Sequence, residues 1–363
     1  MKETQNIHSY GSKKVWISFI LAILLLVGAE AAVQTRAYMK GEEEPVKAVD
    51  EEGIYFFNEE YQLKLIQPNI VSDEGYRTVK SNSIGLRSPE ISQEKQNNEI
   101  RVAILGGSSV MGMLNPVNEE TISYRLEEHL QSHFNDKKVN VINAGIPGYF
   151  LTDQKVMYEK VLVPLKLDLL ILYTGFNDVS SYCRDGGIAA ENNGLINYSL
   201  PDWVLSIELL IKNSAILREL MPEVEQLTDP STLNENPYTR NFEALLQTIN
   251  ASEVPVIVMA NPRAYNRDMS PEDQFKYSEF SRSKDQCFSI EGLHEVYDRH
   301  NDIMVDISAK YDDPVLRLDQ DIPGGGTYFA DSIHLNAAGS EFVANLMVDA
   351  IMEHKLLTDE AAK

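Results

Sequence analysis

The sequence predicts an α/β domain in which a parallel β-sheet is covered by helices on both faces. Two observations carry this prediction. Short apolar runs that end in turn residues occur along the chain, as is typical of buried strands. Between these runs lie segments whose apolar residues recur at helical spacing. Strands that alternate with helices in this way form a parallel sheet.

The first half of the domain follows from local patterns taken in order. Residues 102–105 are an apolar run that ends at Gly106 and Gly107, as a buried strand does when it enters a tight turn. The next helix is predicted because apolar residues recur every four positions from Ile122 to Phe134. The elements predicted here are a strand at 102–105, a helix at 119–134, a strand at 139–143, a helix at 153–162 and a strand at 167–173.

Two more strands and a closing helix complete the predicted domain. Apolar runs predict a fourth strand at 254–260 and a fifth at 303–307. A long helix is predicted at 336–354, where Asn336 is placed to cap its first turn.

The connections suggest where additional structure lies. About 80 residues separate the third and fourth strands, far more than one crossover connection needs. Residues 179–240 and 262–290 are therefore interpreted as insertions over one end of the sheet. Residues 54–99 mix aromatic and turn residues, and we assign them to an N-terminal extension of a domain that spans residues 100–356.

The N-terminal sequence predicts the cellular compartment of the domain. A lysine pair precedes an apolar run at residues 15–33, which has the length of either a transmembrane anchor or a signal peptide. The positive-inside rule then predicts that residues 1–14 stay in the cytoplasm, and that an acidic stalk at 34–53 leads to an exported domain. The alternative is cleavage near Ala31, which would release the domain. Both interpretations place it outside the cytoplasm.

Composition and charge exclude several classes of protein. With 43% hydrophobic and 24% charged residues, the chain is neither disordered throughout nor a multi-span membrane protein. The 32 basic and 55 acidic side chains give a net charge of -23, which argues against a nucleic-acid partner. The two cysteines, Cys183 and Cys287, match no zinc motif, but they follow neighbouring strands and can pair in an oxidising compartment.

Chemically active residue types follow the predicted strands. Ligands of open parallel sheets bind beyond the carboxyl ends of the strands, so residues that follow different strands should converge there. Asn261 and Arg263, after the fourth strand, are candidates for substrate contact or for loop structure. The segments that should converge are residues 106–109, 143–149, 175–178, 261–263 and 331–334.

These residue types compose a nucleophilic serine site. Ser108 needs a base to accept its proton, and His334 suits that role because histidine titrates near neutrality. Asp331 lies three residues from His334 and can fix its tautomer. Backbone N–H groups and an amide such as that of Asn177 can stabilise a tetrahedral oxyanion. Ser109 is the alternative nucleophile, and the pattern calls for neither a metal nor a cofactor.

Four sequence blocks resemble those of the SGNH (GDSL-type) hydrolase family. They are Gly-Gly-Ser108-Ser, Asn-Ala-Gly-Ile-Pro-Gly148, Gly-Phe-Asn177-Asp and Asp331-Ser-Ile-His334, in the family's order across roughly residues 100–355. The resemblance implies a flavodoxin-like three-layer α/β/α sandwich around five parallel strands. It also implies Ser108, Asp331 and His334 as catalytic residues, with Ser108, Gly148 and Asn177 forming an oxyanion hole. One departure is Gly107, where many members have Asp.

The activity implied by the resemblance is hydrolysis of O-acyl esters, often O-acetyl esters on glycans outside the cell. The stretch 81–101 and the leading apolar run also look like the membrane-anchored branch of the family with Gly-Gly-Ser-Ser/Thr. The expected partners are therefore an acylated small molecule or glycan and, through the N-terminal helix, a membrane. Two alternatives remain at this point: an acyltransferase that uses the same serine, and a non-catalytic glycan-binding or assembly protein.

Overall fold

The computed structural model describes residues 53–73, 75–185, 231 and 233–357. The predicted segments at 1–14 and 15–33, nearly all of the predicted stalk at 34–53, and most of the predicted insertion at 179–240 lie outside the described residues. Among the residues that are described, no helix is both long enough and apolar enough to cross a membrane.

The N-terminal extension begins with two antiparallel hairpins. The first joins β1 (Tyr55–Asn58) to β2 (Leu63–Ile66), and the second joins β3 (Val71–Asp73) to β4 (Thr78–Lys80). Several of their apolar side chains, including those of Leu65, Ile66 and Val79, are buried in the same core as residues of the main sheet, whereas Phe57 and Val71 are exposed. The extension is therefore packed onto the domain.

The main sheet consists of five parallel strands. They are β5 (Glu99–Gly106), β6 (Lys138–Gly145), β7 (Leu169–Tyr173), β8 (Val256–Met259) and β9 (Val315–Leu316). Their spatial order is β6-β5-β7-β8-β9, and every neighbouring pair is parallel. This 2-1-3-4-5 arrangement is the flavodoxin-like doubly wound order. The predicted five-stranded α/β fold class is confirmed.

Helices cover both faces of the sheet. Successive residues of β5 point to opposite faces, so Val102 and Ile104 enter one core while Ala103 and Leu105 enter the other. The helices are α1 (Ser108–Met111), α2 (Ile122–His133), α3 (Leu151–Met157), α4 (Phe176–Asp185), α5 (Asn236–Asn250), α6 (Pro271–Tyr277), α7 (Glu279–Lys284), α8 (Ile290–Ser308), α9 (Leu318–Asp321) and α10 (Ala337–Glu353). Residues of α2, α8 and α10 line the first core, and residues of α3 and α5 line the second.

The predicted position of the fifth strand is wrong. Residues 303–307 lie in α8, and the fifth strand is β9, which pairs with β8 over two residues. The apolar residues at 303–307 belong to a helical stripe, in which Met304 and Ile307 are buried and Asp306 is exposed. A short apolar run can be either a strand or one buried face of a helix, and periodicity alone does not distinguish them.

The closing helix begins as predicted. Asn336 is its N-cap, and its side-chain oxygen accepts a hydrogen bond from the backbone N–H of Gly339 at 2.9 Å. This cap satisfies one of the N–H groups that lack an intrahelical partner. The cap lies two residues after His334, so it also sets where the preceding loop ends.

Candidate active site

Ser108 is the first residue of α1, directly beyond the carboxyl end of β5. This short helix is held by side chains from outside it. The guanidinium of Arg87 is buried and donates to the carbonyl oxygens of Met111 at 3.1 Å and Gly112 at 2.6 Å. The amide of Asn143 donates to the carbonyl oxygen of Val110 at 2.8 Å. These contacts fix the turn that presents Ser108.

His334 lies against the serine. Its Nε2 is 2.7 Å from Ser108 Oγ, and its Nδ1 is 2.7 Å from Asp331 Oδ2. An ionised carboxylate can only accept a hydrogen bond, so Nδ1 carries the proton and Nε2 is free to accept the serine hydroxyl proton. The three residues form a continuous hydrogen-bonded chain.

Asp331 uses both of its carboxylate oxygens. While Oδ2 faces the imidazole, Oδ1 accepts the backbone N–H groups of Ile333 at 2.9 Å and His334 at 2.8 Å. Burial opposes ionisation of Asp331, but its hydrogen bonds from the His334 side chain and from two backbone N–H groups outweigh burial and hold its pKa below the ordinary value. The residue therefore orients the ring and shapes the loop that carries it.

Ser109 occupies a different environment. It is buried, and its hydroxyl donates to the carbonyl oxygen of Ile333 at 3.4 Å. The structure thus brings Ser108, and not its neighbour, to the imidazole.

Gly148 sits in a tight turn after β6. The backbone N–H of Tyr149 donates to the carbonyl oxygen of Ile146 at 3.3 Å, with Pro147 and Gly148 at the two central positions. The φ angle of Gly148 is +84°. Proline followed by a residue with positive φ is the pattern of a type II turn, which favours glycine at this position. The turn places the loop beside α4, which begins at Phe176.

Asn177 is the second residue of α4. Its Nδ2 donates to the carbonyl oxygen of Tyr149 at 3.0 Å, and its Oδ1 accepts a hydrogen bond from Lys284 Nζ at 2.8 Å. A Cβ atom added to Gly107 would lie 3.0 Å from Asn177 Nδ2. A side chain at position 107 would therefore lie close against this amide.

The two residues predicted after the fourth strand both contact α8, the first through its backbone and the second through its side chain. Asn261 is fully buried, and its backbone exchanges hydrogen bonds with the Asn301 side chain. Arg263 donates to Asp298 at 2.6 Å and to the carbonyl oxygen of His294. Neither Asn261 nor Arg263 lines the pocket beside Ser108. They hold α8 to the end of β8.

The two cysteines form a disulfide between α4 and the segment that follows α7. The Cα atoms of Cys183 and Cys287 are 5.3 Å apart, and the bond spans 104 residues of sequence. It connects the helix that carries Asn177 to the region predicted as the 262–290 insertion.

Three residues that no sequence pattern singles out take part in the site. Arg87 holds α1, Lys284 contacts Asn177, and the ring of Phe280 packs edge-on against the ring of His334 at 5.2 Å. Each contact joins segments far apart in sequence, so no local spacing signals it. The one sequence signal for Arg87 and Lys284 is their positive charge, and many other residues of the chain share it.

A small pocket adjoins the nucleophile. Its volume is about 10 Å³, and it is lined by Gly107, Ser108, Ser109, Tyr149, Gln154, Tyr173, Thr174, Gly175, Phe176 and Asn177. This is room for about one water-sized group. Over the described ranges, no group of three or more His, Cys, Asp or Glu side chains is placed to hold a metal ion.

The sequence matches no protein-family model and no curated protein. The fold is similar to that of the acetyl xylan esterase AlAXEase, at 15% identity and a TM-score of 0.45, with 69% of this chain and 100% of that chain covered. It is similar to a lipase/acylhydrolase from Enterococcus faecalis, at 17% identity and a TM-score of 0.42, with 70% of this chain and 96% of that chain covered. It is also similar to a catalytic mutant of Axe2, an acetylxylan esterase from Geobacillus stearothermophilus, at 12% identity and a TM-score of 0.42. That similarity covers 69% of this chain and 94% of the Axe2 chain. These are similarities of fold.

Proposed function

We propose that the protein is a serine esterase that hydrolyses O-acyl esters through an acyl-enzyme on Ser108. The observation that carries this proposal is the hydrogen-bonded chain from Ser108 through His334 to Asp331, with both ring nitrogens of the histidine engaged at 2.7 Å. A serine is a weak nucleophile by itself and is activated by such a base.

The geometry supports the following reaction. As Ser108 Oγ attacks the ester carbonyl carbon, His334 Nε2 takes the hydroxyl proton, and Asp331 stabilises the resulting imidazolium. The tetrahedral oxyanion is stabilised by the backbone N–H groups of Ser108 and Gly148 and by the amide of Asn177. Collapse breaks the bond to the alcohol, which leaves with the proton from His334. Water then attacks the acyl-enzyme, His334 again accepts a proton, and the carboxylic acid is released.

We propose that the acyl group is acetyl. The support is the small pocket of about 10 Å³ between Ser108 and Asn177, which favours a short acyl group such as acetyl. The resemblance of the four sequence blocks supports a saccharide as the alcohol.

We further propose that the domain works outside the cytoplasm, tethered by the apolar segment at residues 15–33. The disulfide between Cys183 and Cys287 supports an oxidising compartment, because cytosolic thiols are kept reduced.

The test is hydrolysis of p-nitrophenyl acetate and p-nitrophenyl butyrate by the full-length protein. We expect the acetate ester to be hydrolysed much faster, Ser108→Ala to remove the activity, and the matched control Ser109→Ala to retain it. Activity that survives in Ser108→Ala would refute the assignment of Ser108 as the nucleophile. A butyrate rate equal to the acetate rate would refute the proposed acyl pocket. Adding a saccharide acceptor separates hydrolysis, in which acetate is released, from transfer, in which it appears on the acceptor.

A further inference from the structure

Helix α7 touches both halves of the candidate active site. At its start, the ring of Phe280 packs on His334, and the backbone N–H of Ser281 donates to Ser332 Oγ at 3.1 Å. At its end, Lys284 Nζ donates to Asn177 Oδ1 at 2.8 Å. The helix thus contacts the loop that carries the base and the amide that faces the nucleophile.

The amide of Asn177 lies between two groups of opposite character. The carbonyl oxygen of Tyr149 can only accept a hydrogen bond, and the ammonium of Lys284 can only donate one. Oδ1 must therefore face Lys284 and Nδ2 must face Tyr149 O, as the contacts at 2.8 Å and 3.0 Å show. A flipped amide would lose both hydrogen bonds. One Nδ2 proton is used by Tyr149, and the second remains for a substrate oxyanion.

We propose that Lys284 is a positioning residue of the oxyanion hole and acts through Asn177; this inference rests on the proposed function. Its hydrogen bond holds the amide in the orientation that presents Nδ2. Because hydrogen bonds in a chain polarise one another, a cationic donor on Oδ1 also strengthens Nδ2 as a donor. Donors that are oriented before the reaction contribute most where charge develops in the transition state.

Two further contacts hold Lys284 in place. Asn177, Ser180 and Cys183 are spaced three residues apart on α4, so they share one face of that helix. Lys284, Asp285 and Cys287 meet them in the same order: Ser180 Oγ donates to the buried Asp285 at 2.5 Å, and Cys183 is bonded to Cys287. The segment that carries the lysine is therefore fixed along α4 at three successive points.

Steady-state kinetics on p-nitrophenyl acetate test this role. We expect Lys284→Met to lower kcat about 10-fold and to change KM less than about twofold, because the amide acts on the oxyanion and not on the bound ester. Lys284→Arg retains a cationic donor and should recover most of the lost kcat. The matched control is Lys276→Met, which removes an exposed lysine on α6 and should leave both constants unchanged.

A double-mutant cycle separates positioning from a structural role. Asn177→Ala should lower kcat about 100-fold, and adding Lys284→Met to it should cause no further loss, because the lysine has nothing left to orient. Wild-type kcat in Lys284→Met, or the same loss in both backgrounds, would overturn the proposal. If wild-type hydrolysis does not depend on Ser108, the proposed function fails and this inference fails with it. If hydrolysis depends on Ser108 but not on Lys284, the lysine proposal alone fails.

Discussion

His334 Nε2 lies 2.7 Å from Ser108 Oγ, although 226 residues separate them in sequence. Ser108 follows the strand at the second position of the sheet order, and His334 precedes the helix that closes the domain. The contact therefore depends on the whole parallel sheet, and any change that shifts α1 or the loop at 331–334 should act on it.

His334→Ala should impair catalysis more than Asp331→Asn. The alanine variant has no base, and losing a member of such a chain typically costs several orders of magnitude in rate. Asparagine at 331 can still accept the backbone N–H groups of Ile333 and His334, so the loop should keep its shape. The measurement is kcat/KM for both variants. An asparagine variant as inactive as His334→Ala would refute this ranking, whereas an active His334→Ala would mean that another group is the base.

Gly148→Ala should reduce both stability and activity. Its φ of +84° is unfavourable for alanine, at a cost of about 1–2 kcal/mol, although the added Cβ itself would meet only Lys64 Nζ at 3.8 Å. Relief of the strain would turn the N–H away from the oxyanion position. Gly326→Ala is the matched control, because its Cβ is equally unobstructed and its φ is not positive. Denaturant unfolding and kcat for the two variants check this, and equal effects at both positions would contradict it.

Removing the disulfide should destabilise the domain. In the chain-entropy model, a cross-link across about 100 residues contributes about 4–5 kcal/mol. Cys183→Ser and Cys287→Ser should lower the free energy of unfolding by similar amounts, and the double variant should lose no more than either single one. The measurement is urea unfolding under oxidising conditions, with reduced wild type as the control. An unfolding midpoint that is the same in wild type and in the double variant would count against this role.

Stability should depend on pH through the carboxyls of Asp153 and Asp178, which accept hydrogen bonds from the backbone N–H groups of Phe150 and Leu151. Burial, reinforced by the charge of Asp153, raises the pKa of Asp178 to about 7, and burial raises the pKa of Asp153 to about 6. The folded state therefore keeps protons that the unfolded chain releases near pH 4. Because ionising these buried groups is unfavourable, they lower the free energy of unfolding increasingly as pH rises from about 4 to about 7.

Asp178→Asn isolates this effect. Its amide oxygen can still accept the backbone N–H of Leu151, which Asp178 accepts at 3.4 Å. Relative to wild type, the variant should gain stability as pH rises from 5 to 8. Unfolding midpoints of both proteins across this range provide the measurement. A difference that stays constant with pH would show that Asp178 does not titrate there.

Part of this molecule is predictable from sequence for physical reasons. Strands that alternate with helices must lie parallel, and parallel strands bring their carboxyl ends together. For that reason the order of strands and helices along the chain is enough to predict that the segments around Ser108, Gly148 and Asn177 converge, because they directly follow β5, β6 and β7. The predicted placement of His334 beside them rests on a strand at 303–307 that is helical in the structure. The cap at Asn336 was predictable because it depends only on its own helix.

The features that could not be predicted depend on contacts between distant segments, which produce no local sequence pattern. β9 has only two residues, too few to give a periodic sequence pattern. The apolar residues on the buried face of α8 form a short run that is also typical of a strand. Lys284 meets Asn177 across 107 residues because α7 packs over the end of the sheet. Arg87 reaches α1 from the N-terminal extension in the same way. Such contacts are set by tertiary packing alone.

Covalent labelling tests the central claim most directly. A fluorophosphonate reacts only with a serine activated as a nucleophile, and mass spectrometry of the digested protein identifies the modified peptide. We predict that full-length wild type is modified at Ser108, that His334→Ala is modified far more slowly, and that unfolded protein is not modified. Labelling at Ser109 or elsewhere, or no labelling of the folded protein, would contradict the assignment of Ser108 as the nucleophile.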